Sequence, residues 1–261
     1  MTTHQPFPSS YEGLLQLVQH LRGQDGCPWD REQTRDSLKG QLLEECYELL
    51  EAIEQGDTVK LVEELGDVLL HVAFQANMGE ESGEFTQEQV FHSLVDKLVR
   101  RHPHVFADVR VANASEVEAR WDAIKYSERE DPDASILGGV PRSMPALSYA
   151  QTILRRAARL GFDWEEYRGV ANKVSEELEK LDKAPTEADR ERELGDVLFS
   201  IVNVARWLDM DAEGALRHAS SRFFSRFSIV EKLCRERGLS LPDQSLEEKE
   251  TLWQEAKGME G

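Results

Sequence analysis

The sequence has few of the features that mark secreted or membrane proteins. Among 261 residues there are only three cysteines, Cys27, Cys46 and Cys234, and none forms a CxxC pair. This odd, scattered set argues against a disulfide framework and predicts reduced thiols in a cytoplasmic protein. No apolar run approaches the roughly 18 residues of a membrane span, and the polar N-terminus is unlike a signal peptide, so we expect no membrane partner.

Basic residues and strand patterns are also scarce. Lysine and arginine total 31 against 50 acidic residues, a net charge of −19. A field of this sign repels nucleic acid and anionic membranes, so neither is an expected partner. No segment sustains the alternation of β-branched residues typical of strands, and the chain is therefore predicted to be all-α.

Acidic residues are abundant and partly ordered along the chain. Two helix-length runs in residues 42–78 meet at Gly56, and each carries two carboxylates three residues apart, which share a helix face. If the runs fold into an antiparallel hairpin, the four acids stand at matched heights and repel one another unless a cation binds. The sequence therefore predicts a divalent metal site formed by Glu45, Glu48, Glu64 and Asp67.

The same construction occurs a second time, around the loop 183–186. One acid pair means little in so acidic a chain, where a solvated helix face is the usual explanation, but two matched quartets favour metal binding. Oxygen ligands alone suit Mg²⁺, with Mn²⁺ as the other candidate, and no acid pair ends in histidine as in di-iron bundles. The predicted second quartet is Glu176, Glu179, Glu193 and Asp196.

The repeat also suggests the domain organisation. The segment 26–30 is echoed by 161–165, and the segment around Trp121 by the one around Trp253. Residues 127–145 between the copies are rich in proline and glycine. We predict an N-terminal helical domain over 1–126, a linker over 127–145 and a C-terminal helical domain over 146–261.

Local sequence patterns predict helix caps and core-facing stripes in the first half of the chain. Ser9 or Ser10 should cap the first helix, and Thr86 with Gln89 should form a capping box. On helical wheels, two apolar stripes of the first hairpin are predicted to be core, with the acids at their edges. The stripes are Leu42, Cys46, Leu49 and Ile53, followed by Leu65, Val68 and Val72.

Basic residues near the second quartet are candidates to bind phosphate. Arginine and lysine form charge-assisted hydrogen bonds with phosphate oxygens, and a carboxylate-bound Mg²⁺ usually completes its shell with such oxygens. The candidates are Lys173, the pair Arg222 and Arg226 on one helix face, and either Arg190 or Arg192. Glu176 or Glu179 is the predicted base for an attacking water.

Five segments together resemble the MazG family of all-α nucleoside triphosphate pyrophosphohydrolases. They are Glu44-Glu45-x-x-Glu48, Glu64-x-x-Asp67, the motif 26–30, the stretch 97–106 and Trp121-Asp122-Ala123-Ile124-Lys125. The resemblance covers both repeats. It implies a tandem pair of MazG-type domains, a homodimer, and Mg²⁺-dependent hydrolysis of nucleoside triphosphates to the monophosphate and pyrophosphate with broad base tolerance.

The resemblance also implies roles for residues, with the C-terminal repeat as the principal catalytic one. Its second quartet would bind the metal, Lys173, Arg222 and Arg226 the phosphates, and Trp253 the nucleotide. Two positions depart from the family pattern: Ser175 precedes Glu176 where an acid is expected, and Asp189 stands where a basic residue is expected, with Arg190 as a substitute.

Two other functional classes remain as alternatives. A regulatory module could sense nucleotides without turning them over, in which case the basic groups would persist and a metal ligand would be lost. An acidic helical scaffold for a protein partner would need a broad exposed apolar face. The two complete quartets favour the enzyme.

Overall fold

A computed structural model describes residues 6–128 and 135–259, and in these ranges the chain is helical, with no strand. The all-α prediction is confirmed. None of the described helices is long and apolar enough to cross a membrane. The helices are α1 (Tyr11–Arg22), α2 (Pro28–Glu32), α3 (Lys39–Gln55), α4 (Thr58–Glu81), α5 (Gln87–Arg101), α6 (Pro103–Phe106), α7 (Ala114–Ser127), α8 (Ala146–Ala158), α9 (Tyr167–Lys183), α10 (Glu187–Trp207), α11 (Ala212–Arg237) and α12 (Leu246–Met259), with a 3₁₀ turn at Leu241–Asp243.

Polar caps begin α1 and α5, in agreement with the sequence. The Ser10 side chain accepts a hydrogen bond from the Gly13 amide at the start of α1. Thr86 and Gln89 form the reciprocal capping box of α5. Each cap satisfies amide donors that a helix N-terminus otherwise leaves without partners.

Two residues, Gly56 and Asp57, reverse the chain between α3 and α4. Gly56 adopts the left-handed conformation (φ 67°), in which its amide donates to the Ala52 and Ile53 carbonyls and ends α3. Asp57 then accepts from the Val59 and Lys60 amides and starts α4. This short reversal makes the two helices antiparallel neighbours, which is the condition for bringing their acids together.

The second hairpin reverses over three residues. Helix α9 ends at Ala184, and the Thr186 side chain caps α10 by accepting from the Asp189 amide. Helices α9 and α10 pack against each other along their lengths as α3 and α4 do. This connection is one residue longer than the one between α3 and α4.

The chain divides into two compact units, Met1–Ile124 and Lys125–Gly261. Of the linker predicted over 127–145, residues 129–134 lie outside the described ranges. In the first unit α1 packs on α4, and the buried cluster consists of Val18, Leu38, Ala73, Phe74 and Met78. In the second unit α11 packs on α12 around Val230, Leu233, Cys234, Leu252 and Ala256.

The predicted core stripes of the first hairpin are not the core of this unit. Ile53, Leu65 and Val72 are 55%, 46% and 41% exposed, so the prediction that they are buried in the chain is wrong. Helix α4 packs on α1 through Ala73, Phe74 and Met78, which leaves the other apolar flank uncovered. A second uncovered stripe, on α10, occupies the corresponding positions Leu194, Leu198 and Ile201.

The reversal at Gly56 should be sensitive to a side chain. Gly56→Ala is expected to lower the free energy of unfolding by about 1–2 kcal/mol, because an L-residue in the left-handed conformation is strained. Gly40→Ala in the first turn of α3 is the matched control, since its added Cβ meets open space and alanine favours a helix. Urea unfolding followed by circular dichroism measures both; equal stability of Gly56→Ala and wild type would contradict the prediction.

Candidate metal centres in the two helical hairpins

The α3–α4 hairpin brings three predicted ligands into one group. Glu45, Glu48 and Glu64 each offer a carboxylate oxygen, and the three oxygens lie within 4.8 Å of one another. Asp67, one turn further along α4, is near enough for its charge to act on Glu45 and Glu64. Within the described ranges, Glu48, Glu64 and Asp67 form no ion pair with lysine or arginine, so the cluster is not neutralised by the protein.

The pKa values reflect this uncompensated charge. Burial, followed by repulsion from Asp67 and Glu48, raises the pKa of Glu45. Burial and then repulsion, first from Glu48, raise the pKa of Glu64. Because the folded state binds protons more tightly than the unfolded chain, both acids make the metal-free protein less stable as pH rises from about 4.5 through their folded pKa values.

His71 borders this cluster from the next turn of α4. Its Nε2 lies 3.9 Å from Glu45 Oε1, and its ring is buried with no hydrogen-bond partner for Nδ1. Burial lowers the pKa of His71, so the imidazole is neutral at pH 7 and supplies no positive charge to the acids. Ser200 occupies the corresponding position on α10.

In the second hairpin the grouped acids are Glu177, Glu193 and Asp196, again with oxygens within 4.8 Å of one another. Two predicted ligands, Glu176 and Glu179, lie outside this group and are replaced by Glu177. The side chain of Glu176 is 53% exposed, and that of Glu179 is 73% exposed and paired with Lys183 at 3.3 Å. A step of one residue rotates a helical side chain by about 100°, and only Glu177 points toward α10.

The misassigned register could have been read from the sequence. Glu193-Leu194-Gly195-Asp196 repeats Glu64-Leu65-Gly66-Asp67, and the double acid Glu176-Glu177 repeats Glu44-Glu45. Aligned on these identities, Glu177 corresponds to Glu45. The position of Glu48 then holds Lys180. The spacing of acids alone favours Glu179 instead of Glu177. In the corrected register, Glu176 is the acid that precedes Glu177, so the departure at Ser175 disappears.

Three cations of the second hairpin contact its acids. Lys173 Nζ lies 2.7 Å from both Glu176 Oε1 and Glu177 Oε1, and Lys180 Nζ lies 2.8 Å and 3.2 Å from the same two atoms. Arg192 donates to Glu193 Oε1 at 2.9 Å. The hydrogen bond from Lys173, followed by that from Lys180, lowers the pKa of Glu176 to about 2, and Lys173 likewise lowers the pKa of Glu177.

Two carboxylate oxygens of this hairpin fit a metal ion. Glu177 Oε2 and Glu193 Oε2 are buried and have no hydrogen-bond partner within the described ranges. A buried anionic oxygen without a partner is costly, and a divalent cation bound between the two would satisfy both. The donor set is entirely carboxylate, which matches the hard oxygen ligands that Mg²⁺ and Mn²⁺ take.

A cavity of about 240 Å³ opens beside Glu177, Asp196 and Lys173. Asp163 accepts hydrogen bonds from Arg206 and from the Trp207 indole, which fixes the turn that carries Trp164. Sequence reasoning had not assigned Trp164 to the site, although its repeat of Trp29 was a signal. The rest of the lining consists of Leu154, Trp164, Val170, Phe199, Ser200 and Asn203.

The other predicted substrate residues are not among those that line this cavity. Arg190 is exposed on the first turns of α10, and Arg222 is exposed on α11. The Arg226 guanidinium lies over the Trp253 ring, 5.9 Å from its centroid, and Phe223 packs against the same ring. The α11–α12 pair therefore presents a separate basic and aromatic surface.

Comparisons with known proteins relate the chain to one family. A family model described as the MazG nucleotide pyrophosphohydrolase domain matches residues 33–106, which contain the first acid cluster. A Thermotoga maritima protein named nucleoside triphosphate pyrophosphohydrolase/pyrophosphatase MazG is 44% identical over 95% of this chain and 96% of its own length. An Escherichia coli K12 nucleoside triphosphate pyrophosphohydrolase is 44% identical over 95% and 97%.

A third relative is longer than this chain. The Bacillus subtilis protein named YabN, which carries no functional name, is 46% identical over 94% of this chain but over only 51% of its own length.

Removing the charge of Glu64 tests whether repulsion within the first acid cluster destabilises the metal-free protein. In chelator, Glu64→Gln is expected to raise the melting temperature by about 2–4 °C, because the amide no longer repels Glu48. It should also lose much of the increase that Mg²⁺ gives the wild type through binding to the folded state. Calorimetry with and without Mg²⁺ measures both effects. Glu88→Gln, on the exposed first turn of α5, is the control, and a lower melting temperature of Glu64→Gln in chelator would contradict the prediction.

Proposed function

Since the chain belongs to the MazG family of nucleotide pyrophosphohydrolases, enzymes that cut phosphoric anhydride bonds, we propose that it converts nucleoside triphosphates to the monophosphate and pyrophosphate. The carboxylate clusters would hold Mg²⁺ or Mn²⁺ for this reaction. The observation that carries the proposal is the pair of buried, unpartnered oxygens Glu177 Oε2 and Glu193 Oε2 on facing helices. Two such oxygens suit a bound cation and are of no evident use to a scaffold.

The proposed chemistry is attack of water on the triphosphate, which breaks the anhydride bond between the α and β phosphates and releases pyrophosphate. A divalent ion, when bound, supplies charge neutralisation of the phosphate oxygens and of the pyrophosphate leaving group. The attacking water loses its proton to a cluster carboxylate. Glu176 is not assigned this role because it lies outside the group of Glu177, Glu193 and Asp196. We assign this role instead to Glu45 in the first repeat and to the corresponding Glu177 in the second.

Side chains outside the clusters account for substrate binding in this proposal. Lys173 borders the cavity and would bind phosphate oxygens once these compete with Glu176 and Glu177. Arg222 and Arg226 would bind the phosphate chain, and the faces of Trp164 and Trp253 would stack on the base. Stacking accepts any base because every base has a π-face, which supports broad base tolerance.

A homodimer is the assembly we propose. Each hairpin leaves an apolar stripe uncovered, Leu65, Leu69 and Val72 on α4 and Leu194, Leu198 and Ile201 on α10. Continuous apolar faces of this kind are typical of protein interfaces. The cavity of about 240 Å³ also falls below the roughly 300 Å³ of small-molecule sites, so one chain covers only part of a nucleotide.

The products distinguish this function from its alternatives. With Mg²⁺ and a panel of ribo- and deoxyribonucleoside triphosphates, we expect equal amounts of monophosphate and pyrophosphate, resolved by ion-exchange chromatography. Excess chelator should abolish the reaction and Mg²⁺ or Mn²⁺ should restore it, because the ligand set needs a hard cation. Diphosphate and orthophosphate would contradict the bond position, and nucleotide binding without turnover would identify a nucleotide-sensing module.

The assembly is tested by mass in solution. Light scattering coupled to size exclusion should give about twice the 29.7 kDa chain mass at micromolar concentration. Leu69→Glu should shift this equilibrium toward the monomer, because a charge would be buried in an apolar interface. Glu63→Lys, an exposed change on the same helix, should leave the dimer intact. A monomeric wild type would overturn the homodimer.

A further inference from the structure

The two hairpins differ at three positions that face their acid clusters. The first position lies four residues before the corresponding acids Glu45 and Glu177, and the second lies three residues after them. The third position directly precedes Glu64 in the first hairpin and Glu193 in the second. Each holds a cation in the C-terminal hairpin and a neutral or acidic residue in the N-terminal one. The pairs are Lys173 for Gln41, Lys180 for Glu48 and Arg192 for Glu63.

Lys180 is the most consequential of the three. It replaces Glu48, a member of the first cluster, and its ammonium group lies within 3.2 Å of Glu176 and Glu177 oxygens. The replacement therefore removes one ligand and adds one positive charge in contact with a ligand. Both changes reduce the charge that a divalent ion would neutralise.

In the second hairpin, two buried carboxylate oxygens remain available to a cation. Glu177 and Glu193 each use Oε1 for an ion pair with a basic side chain and keep Oε2 free. A divalent ion bound by this group of acids would satisfy both oxygens. In the first hairpin, Glu48, Glu64 and Asp67 have no lysine or arginine partner among the described residues, so all of their oxygens remain available.

We propose that Lys180 takes the place of one divalent cation in the C-terminal repeat, so that the N-terminal repeat binds more metal ions and performs the larger share of hydrolysis. The part about hydrolysis rests on the proposed function, whereas the part about Lys180 and the number of bound ions rests on metal binding alone. It reverses the expectation that the C-terminal repeat is the principal catalytic one.

The N-terminal repeat also keeps the basic and aromatic pair. The Arg101 guanidinium lies over the Trp121 ring at 5.5 Å, as that of Arg226 lies over Trp253 at 5.9 Å. Helix α5 ends at Arg101, just before Pro103, and this end of the helix keeps Arg101 in contact with Trp121. Fewer cations around the acids do not mean that this repeat lacks the other groups proposed to bind substrate.

Counting bound metal tests the proposal without any turnover. Mn²⁺ titration of the full chain, with free Mn²⁺ read by electron paramagnetic resonance, is expected to give about one more bound ion per chain in Lys180→Glu than in wild type. Glu48→Lys is expected to bind about one ion fewer. Circular dichroism establishes that each variant keeps its helices.

Matched controls separate a site from a change in net charge. Lys183 lies one turn beyond Lys180 and, among the described residues, pairs with Glu179, which is outside the acid group. The variant Lys183→Glu should therefore bind as many ions as wild type. Glu51→Lys, exposed one turn beyond Glu48, is the control for Glu48→Lys. An unchanged ion count in Lys180→Glu, or an equal gain in Lys183→Glu, would overturn the substitution of lysine for metal.

Steady-state pyrophosphate release tests which repeat does more of the chemistry. Glu64→Gln should lower turnover about tenfold more than Glu193→Gln, and Asp67→Asn about tenfold more than Asp196→Asn. Equal losses, or a larger loss from the C-terminal pair, would overturn the assignment of the larger share. If the wild type releases no pyrophosphate from any triphosphate, the proposed function fails, while the Mn²⁺ counts still decide the role of Lys180.

Discussion

Repulsion among carboxylates on facing helices is the constraint on which both sites depend. Each helical hairpin places carboxylate oxygens of three acids from its two arms within 4.8 Å of one another, and one acid of each group is buried where water screens charge poorly. Such a cluster persists because the rest of the unit fixes its helices, through α1 on α4 in the first unit and α8 on α10 in the second. Its remaining charge is then available to bind cations.

The two repeats deal with this repulsion differently. In the first, Glu48, Glu64 and Asp67 have no lysine or arginine partner in the described part of the chain, and burial with repulsion raises the pKa of Glu45 and Glu64. The second surrounds its acids with Lys173, Lys180 and Arg192, and hydrogen bonds from the lysines lower the pKa of Glu177. One duplicated hairpin therefore offers a strongly anionic centre in one copy and a partly neutralised one in the other.

Catalytic and assembly features share the same helices. The apolar stripes of α4 and α10 lie on the helices that carry Glu64, Asp67, Glu193 and Asp196, a quarter to a half turn around from the acids. In the proposed homodimer, covering these stripes would also reduce the exposure of the clusters to solvent and strengthen their hold on a cation. Site and interface would then depend on each other.

The sequence by itself determined the helical class, the capping box at Thr86, the reversal at Gly56 and the first acid cluster, because these follow from local spacing and backbone preference. The repeated motifs indicate that Glu177 faces α10, but only the tertiary structure placed its side chain in the acid group and left Glu176 and Glu179 outside it. A step of one residue rotates a side chain by about 100°, so the spacing of acids alone does not distinguish these positions. The tertiary structure also showed that no other helix in the described part of the chain buries Leu65 and Val72. A helical wheel identifies an apolar face but not the element that packs on it.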